Sequence, residues 1–392
     1  MKLRSYILLL IIAVTGSILI CNAAETQQPI YKANLFSKGD YGYNTFRIPA
    51  LVVSKKGTIL AFAEARKNSR SDTGDIDLVM KRSTDGGKTW SEMIMVWDDA
   101  ENVCGNPCPV VDEKTGRIIV LSTWNLGKDH EKDIHKKTSQ DTRRVYMLHS
   151  DDDGVTWSEA REITDMAKNP VWGWYATGPC HAIQLKNGPY KGRLIAPCDH
   201  SNVPGDYTGP VGENKTTSFS HIIYSDDIGQ TWKIGGISAA GGNECTIVER
   251  TDGSLMLNMR GPRGERENGK CRMVAISRDG GQTLEPTYWD QSLQEPVCQA
   301  SILNYTPKGK LTSTILFSNP NHPDKRMNMT IKISHDNGQT WANEYQVFGK
   351  FTAYSDIVVL NKGDIGIFYE SGEETSYDRI AFERLPAKLF KK

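Results

Sequence analysis

The sequence predicts an all-β chain folded as a six-bladed β-propeller, on three observations. An eight-residue phrase, S-x-D-x-G-x-T-W, occurs at 83–90, 150–157, 225–232, 277–284 and 334–341, with Leu284 in place of the last Trp in the fourth copy. Between copies a second phrase recurs around a glycine, at Gly57, Gly116, Gly192, Gly253 and Gly363. The 368 residues that follow a 24-residue leader divide into six units of about 61, a length that suits propeller blades of four strands. A β-sandwich with similar turns is the alternative.

Each copy of the long phrase is built to turn. Its Asp can accept backbone N–H groups, its Gly permits positive φ, and Thr-Trp starts a returning strand. Short apolar or alternating runs lead into the copies at 76–80, 145–148, 221–224, 273–276 and 329–333. The short phrase reads as strand–turn–strand with the turn at its glycine. Five copies for six units leave one blade without the phrase, or closed by the two chain ends. No Pro- or Ser-rich linker interrupts the series, so 25–392 is expected to be a single domain.

Lys2 and Arg4 precede an apolar run at 7–20, with Ala23 and Ala24 after it. That order reads as a signal peptide over 1–24, and the run is short for a membrane span, so the mature chain should hold none. A lipoprotein variant at Cys21 is disfavoured because Ile20 is not small. Lys+Arg and Asp+Glu both count 47, and loss of Lys2 and Arg4 leaves 45 bases against 47 acids. The balance argues against a nucleic-acid partner, which needs a basic excess. Eight scattered cysteines are unlike a disulfide scaffold, and the CxxxC at Cys104 and Cys108 lacks a second ligand pair, so no metal is expected. His130, Glu131 and His135 miss the HExxH spacing by one residue, and 128–144 reads as a solvated charged loop.

The long phrase resembles the Asp-box of sialidases (neuraminidases), which are six-bladed propellers, although non-enzymatic propellers carry it too. Further residues resemble bacterial exo-α-sialidases. Phe46-Arg47-Ile48-Pro49 resembles their F/Y-R-I-P signature, whose Arg grips a substrate carboxylate. Arg66 nineteen residues on, and Asp72 six further, match the spacing of a supporting Arg and the catalytic acid. Glu244 and Arg260 are sixteen apart, Arg326 stands eight before Ser334, and Tyr354-Ser355 and Tyr369-Glu370 resemble the nucleophile and a carboxylate that steadies the first Arg. The resemblance implies Asp72, Glu244 and Tyr354 as catalytic residues, and Arg47, Arg66, Arg260, Arg326 and Glu370 as substrate-binding residues or their supports. Asp75 and Asp77 compete with Asp72, and the offset from Arg66 favours Asp72. Asn106 and Gln299 occupy positions where relatives have polar sugar contacts.

The chemistry suits these residue types. Three guanidiniums can hold a sialic acid carboxylate by charge-assisted, partly bidentate hydrogen bonds. A carboxylate nucleophile would be repelled by that group, whereas a Tyr hydroxyl is neutral. The resemblance therefore implies an exported exo-α-sialidase without cofactor, acting on sialylated glycans of glycoproteins, glycolipids and oligosaccharides. Trans-sialidase or intramolecular trans-sialidase activity is one alternative, and a non-catalytic sialoglycan-binding propeller another. Trp172, Trp174 and Tyr175 are expected on a loop, and Asn214, Asn304 and Asn328 head N-x-T sequons.

Overall fold

The five repeated turns share one hydrogen-bond pattern. In the first, Asp85 Oδ1 accepts the N–H groups of Lys88 and Thr89 at 3.1 and 3.0 Å, and Oδ2 accepts Thr89 Oγ1 at 2.7 Å. Ser83 Oγ donates to Asp85 and accepts the Gly87 N–H at 2.8 Å. Asp152, Asp227, Asp279 and Asp336 also accept their Thr N–H and hydroxyl groups. At Gly87 a Cβ would lie 2.3 Å from the Phe382 ring, and φ is +92°. Glycine is required there because the turn packs directly on a strand from the other end of the chain.

The computed structural model describes residues 28–202, 217–262 and 270–391. The leader, Cys21 and Asn214 lie outside the described residues. Among the described residues the chain is all-β and propeller-like, with four curled sheets. One joins Thr45–Val53, Ile59–Arg66, Ile76–Ser83 and Ile94–Trp97 to Val103–Val111, Ile118–Asn125, Arg144–Ser150 and Arg161–Glu162. The two halves of that sheet meet at a single parallel pair, Ile76 with Val103. A second sheet contains Trp172–Thr177, Leu194–Asn202, Thr217–Ser225 and Lys233–Ile237, with Ile183–Gln184 on its second strand. A third is Cys245–Glu249, Leu255–Met259, Cys271–Ser277 and Tyr288–Gln294. The fourth runs from Ser301–Asn304 through Ile315–Pro320, Met327–Ser334, the long Asn343–Val359, Ile365–Gly372 and Arg379–Leu385 to Tyr31–Ser37. There the chain ends meet: Tyr31–Ser37 pairs antiparallel with Arg379–Leu385.

Strand hydrophobes bury on both faces, as at Leu60, Phe62 and Met80 on one and Ile59, Ala61 and Val79 on the other. Three distant segments, at Leu51, His181 and Ser301, converge on Asp356, which is fully buried. Its carboxylate accepts the N–H groups of Leu51, His181 and Ile357 at 2.8, 3.0 and 2.9 Å, and is 2.7 Å from both Ser301 Oγ and His181 Nδ1. One side chain thus ties segments more than 300 residues apart in sequence.

Two expectations are corrected. Residues 128–144 are not simply a solvated loop: Glu131–His135 is a short helix, Ile134 is buried, and Arg143 is only 2% exposed. Asn125, Asn106 and Thr123 accept from the Arg143 guanidinium, which makes its burial tolerable. Trp172, Trp174 and Tyr175 lie on the strand Trp172–Thr177 rather than a loop, and Trp172 packs inward, stacked 3.5 Å from His200.

Candidate active site

A cavity of about 400 Å³ opens near the starts of the converging strands, bordered by Asp72, Arg66, Asn106, Arg143, Glu244, Arg260 and Tyr354 among others. Local backbone irregularities put the key side chains there. The pairing of Thr45–Val53 with Ile59–Arg66 shifts register between Arg47 and Ala50, and Ile48 has φ +59°. A β-branched residue in that region is strained. Its N–H donates to Glu370 Oε1 at 3.0 Å, which holds the kink beside Arg47. A second register shift, between Thr352 and Ser355, displays Tyr354.

Glu370 is fully buried and fixes both residues: it accepts Arg47 Nε at 3.0 Å and Nη2 at 3.4 Å, and the Tyr354 N–H at 3.1 Å. The sixteen-residue spacing of Glu244 and Arg260 has a plain cause. They flank the hairpin of Cys245–Glu249 with Leu255–Met259, and the Arg260 N–H donates to Glu244 O at 2.9 Å. Arg260 Nη1 donates to Glu244 Oε2 and, at 3.1 Å, to the Tyr354 hydroxyl. The hydroxyl donates to Glu244 Oε1 at 2.5 Å.

Three guanidiniums surround Tyr354. Arg47 and Arg326 lie 4.9 and 5.5 Å from its ring centroid, and Arg260 meets its oxygen. Arg47 and Arg260 have carboxylate partners in Glu370 and Glu244. Arg326 has neutral ones, donating to the Tyr377 hydroxyl at 3.0 Å and to Val297 O at 2.9 Å. Burial pushes the Tyr354 phenol well above its ordinary value and Glu244 adds to that, while Arg260, Arg326 and Arg47 pull it down.

Asp72 sits across the cavity on a turn that Arg66 builds. Arg66 Nη1 donates to Arg70 O, Ser71 O and Asp72 Oδ1 at 2.7, 2.9 and 2.7 Å, while Nε and Nη2 bind Glu64 Oε2 at 3.0 and 2.6 Å. Burial alone would raise the Asp72 carboxyl, but the Arg66, Arg47 and Arg143 guanidiniums bring it down to about 2. Asp72 borders the cavity, whereas Asp77 is turned to the Tyr43 hydroxyl at 2.5 Å.

The geometry therefore brings together Asp72, Glu244, Tyr354, Arg47, Arg66, Arg260, Arg326 and Glu370. Asn106 borders the cavity, its Oδ1 held by Thr123 at 3.0 Å and by Arg143. Gln299 corrects its expectation. It is 1% exposed, and its amide is engaged with Pro179 O, Ser355 O and the Ser355 N–H, each at 2.9 Å. It tethers the strand beside Tyr354 instead of facing a ligand. Sequence reasoning did not assign Glu64, Arg143, Asp199 or Tyr377. Glu64 was within reach, since residues two apart on a strand share a face with Arg66; the others stand outside any recurring phrase. Among the described residues no His/Cys/Asp/Glu group could hold a metal ion, and the seven described cysteines are buried.

Residues 57–367 match the BNR repeat-like domain family, which makes this an Asp-box repeat protein. A sialidase of Bacteroides fragilis is 34% identical over 355 residues, 85% of this chain and 61% of its own. One from Micromonospora viridifaciens is 30% identical over 364 residues, 89% of this chain and 54% of its own. A solved Hadza microbial sialidase superimposes with a TM-score of 0.79 at 30% identity, covering 92% of this chain and 69% of that one. The chain belongs to the bacterial-type sialidases of the BNR, or Asp-box, family. It spans less than two thirds of the length of those first two relatives.

Proposed function

We propose that the chain is a retaining exo-α-sialidase that removes terminal α-ketosidically linked sialic acids from glycans, through a covalent tyrosyl intermediate. The observation that carries this is the set of three guanidiniums around a tyrosine whose hydroxyl already donates to a carboxylate. Arg47, Arg260 and Arg326 receive the substrate carboxylate, fixing the anomeric carbon over Tyr354. The Tyr354 oxygen attacks that carbon while its proton passes to Glu244 Oε1. The glycosidic C–O bond breaks, and the departing oxygen takes a proton from Asp72. Water then attacks the same carbon, giving a proton to Asp72. The C–O bond to Tyr354 breaks, and Tyr354 recovers its proton from Glu244. Two inversions leave the configuration unchanged.

Asp72 is ionised near neutral pH in the free site, because three guanidiniums stabilise its charge. The bound carboxylate offsets the field of Arg47, and Asp72 takes up the proton it later gives away. Arg66 and Glu64 keep it in place throughout. No metal or cofactor has a step in this scheme.

The scaffold reading is six blades of four strands. The first sheet holds two, the second and third one each, and the fourth is two blades sharing the long strand Asn343–Val359. The last blade is completed by the N-terminal strand and carries no Asp-box, which fits five boxes in six units. Each box glycine packs on the preceding unit: Gly154 near Leu60, Gly229 near Met147, Gly281 near Ile195, Gly338 near Met256, and Gly87 near Phe382. Residues 1–24 act as an export signal in this reading, and 25–392 form the catalytic domain.

The test is incubation with α2-3 and α2-6 sialyllactose, with products followed by NMR. Free sialic acid appearing first as its α-anomer supports the proposal. A 2,7-anhydro product or transfer to an acceptor sugar would indicate transglycosylation, and binding without release a lectin.

A further inference from the structure

Asp199 takes no part in the scheme above, yet it borders the cavity from the strand Leu194–Asn202 and is only 1% exposed. Oδ1 receives a long bond, 3.4 Å, from Asn243 Nδ2, and Oδ2 has no partner among the described residues. Buried carboxyl oxygens in folded proteins are nearly always engaged, and an unmade bond costs free energy. The cavity is the open side from which a partner can come.

The surroundings disfavour a second negative charge. Glu244 and Glu131 oppose ionisation of Asp199, and Arg260 and Arg143 favour it less strongly than burial opposes it. The flanking strands pair Asp199 with Ala176 and Ser220 and bring Tyr175 and His221 close behind, both uncharged. His200, the next residue, is also kept neutral by burial. Burial, with Glu244 adding, pushes the Asp199 carboxyl well above the usual carboxylate range. In that state the group carries one O–H donor.

We propose that Asp199 is a specificity-determining residue that donates a hydrogen bond to a neutral acceptor oxygen of the bound sugar. That oxygen belongs to a side-chain hydroxyl or to an amide carbonyl, two of the neutral acceptors a sialic acid offers beyond its carboxylate. This rests on the sialidase reading. It predicts a preference for sugars bearing that oxygen, and loss of binding at alkaline pH as the donor proton is lost and a charge appears beside Glu244.

The experiment measures kcat and KM from pH 4 to 9 for wild type, Asp199→Asn and Asp199→Leu, with Asp199→Ala as a second variant if the Leu protein does not fold. Three aryl α-sialosides are used: the parent sugar, one with its polyol chain shortened by a carbon, and one with hydroxyl replacing the N-acyl group. Asn keeps a donor, so it should stay within about threefold of wild type and shed the alkaline limb; Leu or Ala should raise KM about tenfold on the parent. On one modified sugar that loss should vanish, identifying the acceptor oxygen. Equal losses on all three sugars, Asn as poor as Leu, or variants indistinguishable from wild type would each overturn the inference. A wild type that releases nothing refutes the parent reading and this inference with it, whereas active wild type with unaffected variants refutes the inference alone.

Discussion

Arg326→Lys tests the proposed carboxylate recognition apart from the rest of the site. The substitution keeps the charge but replaces a planar fork by a point donor. Arg326 is half-buried, and its two hydrogen bonds go to the neutral Tyr377 hydroxyl and Val297 carbonyl. Removing the guanidinium therefore strands no buried carboxylate, and folding should change by about 1 kcal/mol or less. Its loss should fall on the substrate, where a hydrogen bond to a charged group contributes about 1.5–3 kcal/mol, or roughly ten- to 150-fold in kcat/KM. The matched comparison is Arg47→Met, which leaves Glu370 buried without its charge partner and should lower the thermal midpoint clearly. The assay is initial-rate release from a fluorogenic aryl α-sialoside, alongside thermal unfolding of each variant. An Arg326→Lys protein with kcat/KM within twofold of wild type would refute the assignment of Arg326 to the substrate carboxylate.

Other expectations follow from the same geometry. Tyr354→Phe should abolish turnover while sialoside binding persists, measured by calorimetry; retained turnover would exclude Tyr354 as nucleophile. Asp72→Ala should slow sialyllactose far more than an activated aryl sialoside, since only the former needs its leaving oxygen protonated. The folded Asp72 carboxyl is depressed to about 2 from 3.8, so its contribution to stability is complete above about pH 4 and is lost as pH falls through about 2. Asp72→Asn should accordingly flatten that part of an acid-unfolding curve. Asp336→Ala removes the acceptor of four hydrogen bonds in a box turn and should cost about 1–2 kcal/mol in chemical denaturation.

What could be read from the chain was what recurs or is locally spaced. The box turns and the Gly-centred turns repeat, and both appear where expected, with positive φ at Gly57, Gly116, Gly192, Gly253 and Gly363. Glu244 and Arg260 were legible because a hairpin fixes their separation. Burial of polar groups was not legible. Arg143 sits in a charged run, and only Asn106, Asn125 and Thr123, brought in from neighbouring strands, let it turn inward. Gln299 failed for a related reason: alternation shows that a strand residue has two faces available, without showing that both amide ends are needed by Pro179 and Ser355. Asp199 had no local signature, since its position depends on strands pairing on both sides.

The Asp356 carboxylate stands two residues after Tyr354 and receives groups from Leu51, His181 and Ser301. A shared anchor of this kind makes those three segments thermodynamically interdependent: releasing any one would leave a buried anion short of a donor. The protein should then unfold in one cooperative transition instead of peeling apart unit by unit. Amides of Leu51, His181 and Ile357 should exchange only by global opening, and Tyr354 should inherit that rigidity because it lies on the same short stretch of strand.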